Sequence, residues 1–269
     1  MILRLLAALL ALAAPAAAED RIPSHCIALA AGPDRVIPAT FGAPLDHDTV
    51  RIRYLDHASF LIETAGGLTA VTDFTGHTGT RPLIPDVVTM NNAHRTHWTP
   101  NPDPAIPHVL RGWAEGGAPA DHRLDLGEML VRNVPTDVRG GFEMGVRPAG
   151  NSIFVFEVAG LCIGHLGHLH HIPDDAQFAS VGRLDVVMVP VDGGYTLDLP
   201  SMMQVVGRFR SSVVIPMHWF SGASLERFLA DMQGQFDIVR LDQPDIELGL
   251  RKLPGRPTIM VLRPEWLNR

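Results

Sequence analysis

Short apolar segments bounded by glycine, proline or polar residues recur along the chain, and they constrain its fold more than any other feature. Extended segments of the first half lie at residues 51–55, 60–63 and 68–73. Continuous apolar segments of the second half lie at residues 185–191 and 212–217. Helices are predicted at 174–181, 200–209 and 224–232, and the last of them has an amphipathic pattern. Strands first and strand–helix alternation later predict packed sheets that helices cover on their outer faces.

Turn residues set the boundaries of these segments. Gly66 and Gly67 separate two extended segments and predict a β-hairpin. Four prolines between residues 100 and 107 exclude a regular helix there and predict a loop over the surface. A strand at residues 129–134 should lead into a glycine-rich loop that ends near Gly150, before further strands.

The first 18 residues have the pattern of a secretory signal peptide. Arg4 is followed by an apolar run at residues 5–14, and three alanines at 16–18 precede an acidic pair. This order of a basic, an apolar and a small-residue region predicts cleavage and export, to the periplasm or the medium. No linker divides the rest, so residues 19–269 are expected to form one domain.

Charge and hydropathy exclude several partners. The formal net charge is −7, or −8 without Arg4, and the basic residues form no stripe, which excludes a nucleic-acid partner. No later segment approaches the roughly 20 apolar residues that a membrane span needs, and Cys26 lacks the context of a lipid anchor. We expect a small-molecule substrate, and the oligomeric state stays open.

Cys26 and Cys162 are the only two cysteines. In an oxidising compartment they could pair, although one lies near the mature N-terminus and the other in a predicted strand. The alternative is that both are unpaired, with Cys162 buried as a small apolar residue.

Histidines follow three separate predicted strands. His94 and His97 lie three residues apart after one strand, several histidines lie at residues 165–171 after another, and His218 directly follows a third. Loops at the ends of strands bring distant parts of a chain together, so these side chains could bind one ion. Polar loop histidines that face water are the alternative for any single pair.

Five separated motifs resemble the metallo-β-lactamase superfamily, and within it the short hydrolases similar to the ascorbate-phosphate lactonases. Residues 53–63 (RYLDHASFLIE) resemble the opening strand pair of that group, and Asp73 falls where its members carry an aspartate. The other matching segments are residues 165–171 (HLGHLHH), 189–196 (VPVDGGYT) and 214–218 (VIPMH). The resemblance implies an α/β fold, a four-layered αββα sandwich.

The departures from the family pattern lie in its metal motifs. The family's H-x-H-x-D-H reads NAHRTH at residues 92–97, so Asn92 replaces the first histidine and Thr96 the metal-binding aspartate. The aspartate that members share between two metals is replaced by His168. The resemblance therefore implies one ion in place of two, held by His97, His168 and His218 with an open fourth position for water.

The resemblance implies a hydrolase in which such an ion activates water against a lactone, ester, amide or phosphoester, and the signal-like segment predicts that this hydrolase is exported. We favour zinc, and another transition metal is possible. His94 is the candidate base, or a further ligand, while Asn92 and Thr96 could hydrogen-bond water, substrate or an imidazole.

Three further residues are alternative metal ligands: His170, His171 and Asp73. Of these, His170 and His171 could take the place of His168, while Asp73, like His57, is expected to hold the site loops by hydrogen bonds. Loss of the motif aspartate also supports a second hypothesis, a non-catalytic member of the same fold that binds a metal or a small ligand.

Overall fold

The computed structural model describes residues 43–140, 145–220 and 222–265, together with Cys26 and the backbone of residues 37–38. The predicted signal peptide at residues 1–18 lies outside these residues. Within them, no helix is both long enough and apolar enough to cross a membrane.

Two β-sheets form the centre of the described chain. In chain order the strands are β1 (Ile37–Pro38), β2 (Val50–Asp56), β3 (Ser59–Thr64), β4 (Thr69–Val71), β5 (Val87–Met90), β6 (His108–Arg111), β7 (Arg123–Asp125), β8 (Met129–Arg139), β9 (Val146–Val158), β10 (Leu161–His165), β11 (Val186–Pro190), β12 (Val213–Met217), β13 (Asp237–Arg240), β14 (Asp245–Leu248) and β15 (Thr258–Val261). The helices are α1 (Asp175–Val181), α2 (Leu199–Phe209) and α3 (Ala223–Met232).

The two sheets share one pattern of antiparallel and parallel pairing. The first has the order β1-β14-β2-β3-β4-β5-β6, and the second has the order β13-β15-β12-β11-β10-β9-β8-β7. Antiparallel hairpins give way to parallel neighbours at β4-β5-β6 and at β10-β11-β12. Because parallel strands end on the same edge, the loops after β4, β5, β10, β11 and β12 are brought together.

The core lies in two layers around the second sheet. Between the sheets, Ile52 and Ile62 pack with Phe156, Ile163 and other fully buried side chains. On the opposite face of the second sheet, the apolar faces of α1, α2 and α3 form the second layer, as helices that cover a sheet require. β11 and β12 are buried on both faces, which explains their continuous apolar sequence.

A loop covers the outer face of the first sheet. Leu61, Val71 and Val88 face outward there and pack with Ile106, Trp98 and other loop side chains. Among the described residues no helix covers this face, because four prolines between residues 100 and 107 prevent one. The predicted α/β fold with two packed sheets is present, with loop instead of helix as the described outer layer on this side.

Several predicted boundaries are confirmed, and one loop is shorter than predicted. β3 and β4 pair antiparallel across Gly66 and Gly67, which confirms the hairpin. Asp174 caps α1 through a capping box with Gln177, and Asp198 caps α2. The prediction of a loop from 135 to 150 was wrong, because β8 and β9 continue as a long antiparallel pair into this region.

Candidate metal centre

Three histidines from three strand ends come together at the edge where the parallel strands end. The ring centroids of His97 and His168 lie 4.7 Å apart, those of His97 and His218 lie 5.1 Å apart, and those of His168 and His218 lie 5.2 Å apart. All three side chains are buried. The convergence predicted from their places after β5, β10 and β12 is present in the structure.

Carboxylates determine how two of these rings point. His97 Nδ1–H donates to Asp73 Oδ2 at 2.6 Å, and His218 Nδ1–H donates to Asp192 Oδ2 at 2.9 Å. In the neutral rings, Nε2 then carries a lone pair and no hydrogen. These two Nε2 atoms lie 3.1 Å apart. Two lone pairs at this distance repel each other, and a cation bound between them would turn the repulsion into attraction.

The hydrogen bonds around Asp192 keep its carboxylate ionised. Its Oδ1 accepts the backbone N–H groups of Gly194, Tyr195 and Thr196, and its Oδ2 accepts the hydroxyl of Thr196 in addition to His218. Burial alone would raise its pKa, but the hydrogen bonds from His218 and Thr196 hold the pKa well below its ordinary value. The charge of Asp192 therefore persists and fixes the tautomer of His218.

Asp73 has a less polar environment. Its side chain is fully buried, and burial raises its pKa to about 6 although the Asn91 N–H donates to Oδ1 at 3.0 Å. At neutral pH the carboxylate is still mainly ionised and accepts the proton of His97 Nδ1. Both of its oxygens are used in this way, so Asp73 orients a metal ligand and lies in neither of the ligand groups described below.

Arg139, at the end of β8, connects two parts of the site. Its Nη2 donates to the carbonyls of Gly194, Tyr195 and Thr196 at 2.9, 3.0 and 2.7 Å, and these are the residues whose N–H groups surround Asp192. Its backbone N–H donates to His170 Nδ1 at 2.9 Å. One arginine therefore holds the loop after β11 and the loop after β10.

The bond from Arg139 also determines the tautomer of His168. Because His170 Nδ1 accepts a backbone N–H, the proton of the neutral His170 ring lies on Nε2. That Nε2–H donates to His168 Nδ1 at 2.5 Å, which leaves the neutral His168 ring with its proton on Nε2. His168 therefore presents an N–H donor, whereas His97 and His218 present lone pairs.

His57, in the turn between β2 and β3, lies against the ring of His218 with centroids 4.0 Å apart. Its carbonyl accepts the hydroxyl of Tyr54 at 2.6 Å and the N–H of His218 at 2.8 Å. Its Nε2 is buried and has no hydrogen-bond partner among the described residues. Burial, followed by the neighbouring His218 and His97, lowers the pKa of His57 to about 3, so the ring is neutral.

The ring nitrogens form two overlapping groups of three. One nitrogen each from His57, His97 and His218 lie within 4.8 Å of one another, and so do nitrogens from His94, His97 and His168. His97 belongs to both groups. Two nitrogens bound tetrahedrally at the usual Zn–N distance of about 2.0–2.1 Å lie about 3.3–3.4 Å apart, close to the spacing of His97 and His218. The donor set fits a nitrogen-bound transition metal.

The residues that replace the family's ligands are bound to neighbouring side chains. Thr96 Oγ1 lies 3.1 Å from Nδ1 of the exposed His94 ring. Asn92 is buried, and its Oδ1 accepts a hydrogen bond from Arg147 Nη2 at 2.9 Å. Thr96 therefore orients His94, and Asn92 holds an arginine.

The other histidines after β10 differ in their roles. His165 is fully buried, donates from Nε2 to the Ala58 carbonyl at 2.7 Å, and so ties β10 to the turn that holds His57. His170 binds His168, and His171 is half-buried and lies outside both ligand groups.

Three residues of the site have left-handed backbone conformations. The φ angles are 43° at His57, 43° at Asp73 and 57° at His218. Such values are uncommon for residues other than glycine and mark positions where the backbone is held by its surroundings. Each of the three residues lies one or two positions after the end of a strand, and its side chain turns into the site.

Sequence analysis did not predict the roles of Asp192 and Arg139, and it treated His57 as structural. Asp192 lies two residues after the end of β11, and His218 directly follows β12, so the position of Asp192 shortly after a buried strand was the available signal. Arg139 lies in a segment predicted as loop, and only the three-dimensional path of the chain shows which carbonyls it binds.

The shifted pKa values predict that the metal-free fold weakens in acid. The pKa of His57 is lowered to about 3, from an ordinary value of 6.5 for histidine. Burial, followed by the charge of Arg139, lowers the pKa of His170 to about 4. Between pH 6.5 and 4 the unfolded chain binds these protons and the folded chain does not, so the free energy of unfolding falls. Each such proton contributes at most about 1.4 kcal/mol per pH unit. The pKa of Asp73 is raised to about 6, so between pH 6 and 4 this carboxylate binds a proton in the folded state and not in the unfolded chain. Asp73 therefore opposes the fall in the free energy of unfolding.

Urea unfolding in the presence of a chelator, at intervals from pH 7.5 to 4.5, measures this effect. Replacing His170 by glutamine should flatten the dependence, because one of the groups is removed. Stability that stays constant or rises as the pH falls from 7 to 5 would contradict the prediction.

Comparison with known proteins agrees with this architecture. A metal-dependent hydrolase of the UPF0173 group from Methanoculleus marisnigri is 27% identical over 202 residues, which are 68% of this chain and 87% of that protein. A solved structure from Thermotoga maritima, assigned as a Zn-dependent hydrolase of the metallo-β-lactamase superfamily, is 25% identical with a TM-score of 0.55 and covers 79% of this chain and 98% of its own.

A second solved structure, from Parabacteroides distasonis, shares the fold at 14% identity with a TM-score of 0.55, over 69% of this chain and 89% of its own. The sequence pattern of the beta-lactamase superfamily domain matches residues 51–218, from β2 to the histidine that follows β12. The matched range includes every residue of the histidine cluster. The chain therefore belongs to the family of beta-lactamase superfamily domains.

Proposed function

We propose that this chain is a metal-dependent hydrolase of the metallo-β-lactamase superfamily that acts on a small molecule. The observation that carries the proposal is the pair of bare Nε2 atoms on His97 and His218, 3.1 Å apart and each oriented by a buried carboxylate. Metal-binding histidines are oriented in this way in proteins generally. The similarity to metal-dependent hydrolases supports the same assignment.

The metal would be held by His57, His97 and His218. His57 Nε2 is buried without a hydrogen-bond partner among the described residues, which is costly for a polar atom unless a ligand binds it. His168, which the family resemblance assigned to the metal, offers an N–H donor as long as Arg139 donates to His170. An all-nitrogen set supports zinc, since magnesium and calcium prefer oxygen ligands.

When bound, a zinc ion supplies a Lewis acid that polarises a carbonyl or phosphoryl oxygen and lowers the pKa of water. The protein's own contribution begins with His94, whose Nδ1 is held by Thr96. Burial, followed by His218 and Arg95, lowers the pKa of His94, so its ring is neutral at pH 7 and can accept a proton at its unprotonated nitrogen. His168 Nε2–H can donate to an oxygen of the substrate.

Export is part of the proposal. The signal-like pattern of residues 1–18 supports it, and so does the disulfide between Cys26 and Cys162, because such bonds persist mainly in oxidising compartments. Of the two alternatives left open for these cysteines, the structure has the paired one.

A second candidate function is binding without catalysis. Neither ligand group contains a carboxylate, and both carboxylates nearest the rings, Asp73 and Asp192, are hydrogen-bonded to imidazoles. No described aspartate or glutamate is therefore available in either group to orient a water molecule.

The ligand set can be tested by metal analysis of protein purified without a histidine tag. His57→Ala should lower zinc affinity by on the order of 10²–10⁴-fold, because one of three nitrogens is lost. His168→Ala should retain about one zinc per chain. The reverse pattern would support His97, His168 and His218 as ligands and contradict a role for His57.

Turnover decides between the two functions. Zinc-loaded protein should hydrolyse at least one compound in a panel of lactones, esters, β-lactams and phosphodiesters, and a chelator should abolish the activity. Tight zinc binding with no chelator-sensitive turnover would favour the binding protein.

A further inference from the structure

A positively charged cavity lies beside the candidate metal centre. Its volume is about 200 Å³, and its lining includes Arg139 and Arg147. His94, His168 and His170 also line it, and no carboxylate among the described residues does. A cavity with donors and positive charge on its walls suits a ligand with negative charge.

Arg147 has hydrogen-bond donors that no described residue accepts. Its Nη2 donates to Asn92 Oδ1 at 2.9 Å and to the Gly150 carbonyl at 3.4 Å. Its Nη1 and Nε have no hydrogen-bond partner among the described residues. The amide of Asn92 is neutral, so it positions the guanidinium of Arg147 and leaves its positive charge in place. A carboxylate at this position would also hold the guanidinium, but it would neutralise the charge.

His168 supplies a second donor with a fixed direction of hydrogen bonding. The Arg139 backbone N–H cannot move to another atom, so the proton order along His170 and His168 is set by the fold. Nε2–H of His168 is the free end of this series. The cavity therefore combines a guanidinium and an imidazole N–H, both of which are good partners for oxyanions.

We propose that this cavity binds an oxyanion group of the substrate, a carboxylate or a phosphate, through Arg147 and His168. The proposal rests on the proposed function, since it takes the bound group to be part of the molecule that is hydrolysed. His94, the candidate base, lines the same cavity, so a substrate anchored there lies beside the group that would accept its proton or that of water.

The test uses the metal-free protein, so that zinc does not bind the anion itself. Isothermal titration with inorganic phosphate, benzoate and uncharged benzamide should show binding of at least one anion and none of benzamide. The anion that binds more tightly identifies the class. Arg147→Gln should weaken that binding at least about tenfold, as expected for lost hydrogen bonds to a charged group.

Arg95→Gln is the matched control. It makes the same change of charge on an exposed side chain near the site that does not line the cavity, and it should change the affinity by less than about twofold. Thermal midpoints of both variants check that they fold. Equal weakening by both substitutions, or no preference for an anion over benzamide, would overturn the proposal. Retained anion binding together with zinc-loaded protein that hydrolyses nothing would overturn the hydrolase and leave the oxyanion site supported.

Discussion

Replacing His97 by alanine should remove the metal site. His97 is the residue common to both groups of ring nitrogens, and its ring is fully buried between Asp73 and His218. If a binding free energy of about 10–16 kcal/mol is divided over three or four ligands, one ligand contributes about 3–5 kcal/mol, or on the order of 10²–10⁴ in affinity. Competition with a chromophoric chelator measures the affinity, and turnover should fall with it.

Asp73→Asn provides the graded comparison for this variant. Asparagine keeps the shape of the side chain but loses the charge that fixes the tautomer of His97, so metal affinity should fall by about 10–100-fold and not vanish. Near-ultraviolet circular dichroism would show that both variants keep the native packing. A His97→Ala protein that binds zinc as tightly as the original chain would exclude this histidine from the site.

Removing the disulfide should cost more stability than any surface substitution. The bond joins Cys26 to Cys162 in β10 across a sequence separation of 136 residues, and both side chains are fully buried. Closing so long a loop restricts the unfolded chain by about 5 kcal/mol in the chain-entropy estimate, and measured losses are about 2–5 kcal/mol. For a chain of this size we expect the thermal midpoint to fall by about 5–15 °C.

The double variant Cys26→Ser with Cys162→Ser gives this measurement, and reduction of the unmodified protein gives it independently. A reducing agent should not change the thermal midpoint of the double variant. This control shows that reduction acts on the unmodified protein only through the disulfide. A midpoint that moves by less than about 1 °C on reduction would show that the bond does not support the fold.

The sequence predicts the positions of the histidines better than their chemistry. His97, His168 and His218 each follow a buried strand, and parallel strands end on one edge, so their convergence follows from the pattern alone. The direction of each hydrogen bond does not follow from it. His168 differs from His97 only because a backbone N–H at Arg139 sets the proton order through His170, and this depends on the register of β8.

The fold, like the site, was predicted from the sequence only in part. Continuous apolar runs predicted β11 and β12, and both ends of each of the three helices were predicted to within one residue. The long pairing of β8 and β9 was not predicted, because glycine and proline near their turn resemble a loop when read locally. Pairing across many residues compensates for such local preferences, and sequence reading by segments does not detect it.

The left-handed backbone at His57, Asp73 and His218 has a consequence for engineering. An L-residue with a side chain is less stable in this conformation than glycine, so glycine at these positions would relieve local strain. A directed-evolution screen that rewarded heat resistance alone would therefore tend to accept glycine there. It would enrich heat-stable proteins that have lost a metal ligand or the carboxylate that orients one. A screen of variants at these positions must therefore also measure metal retention.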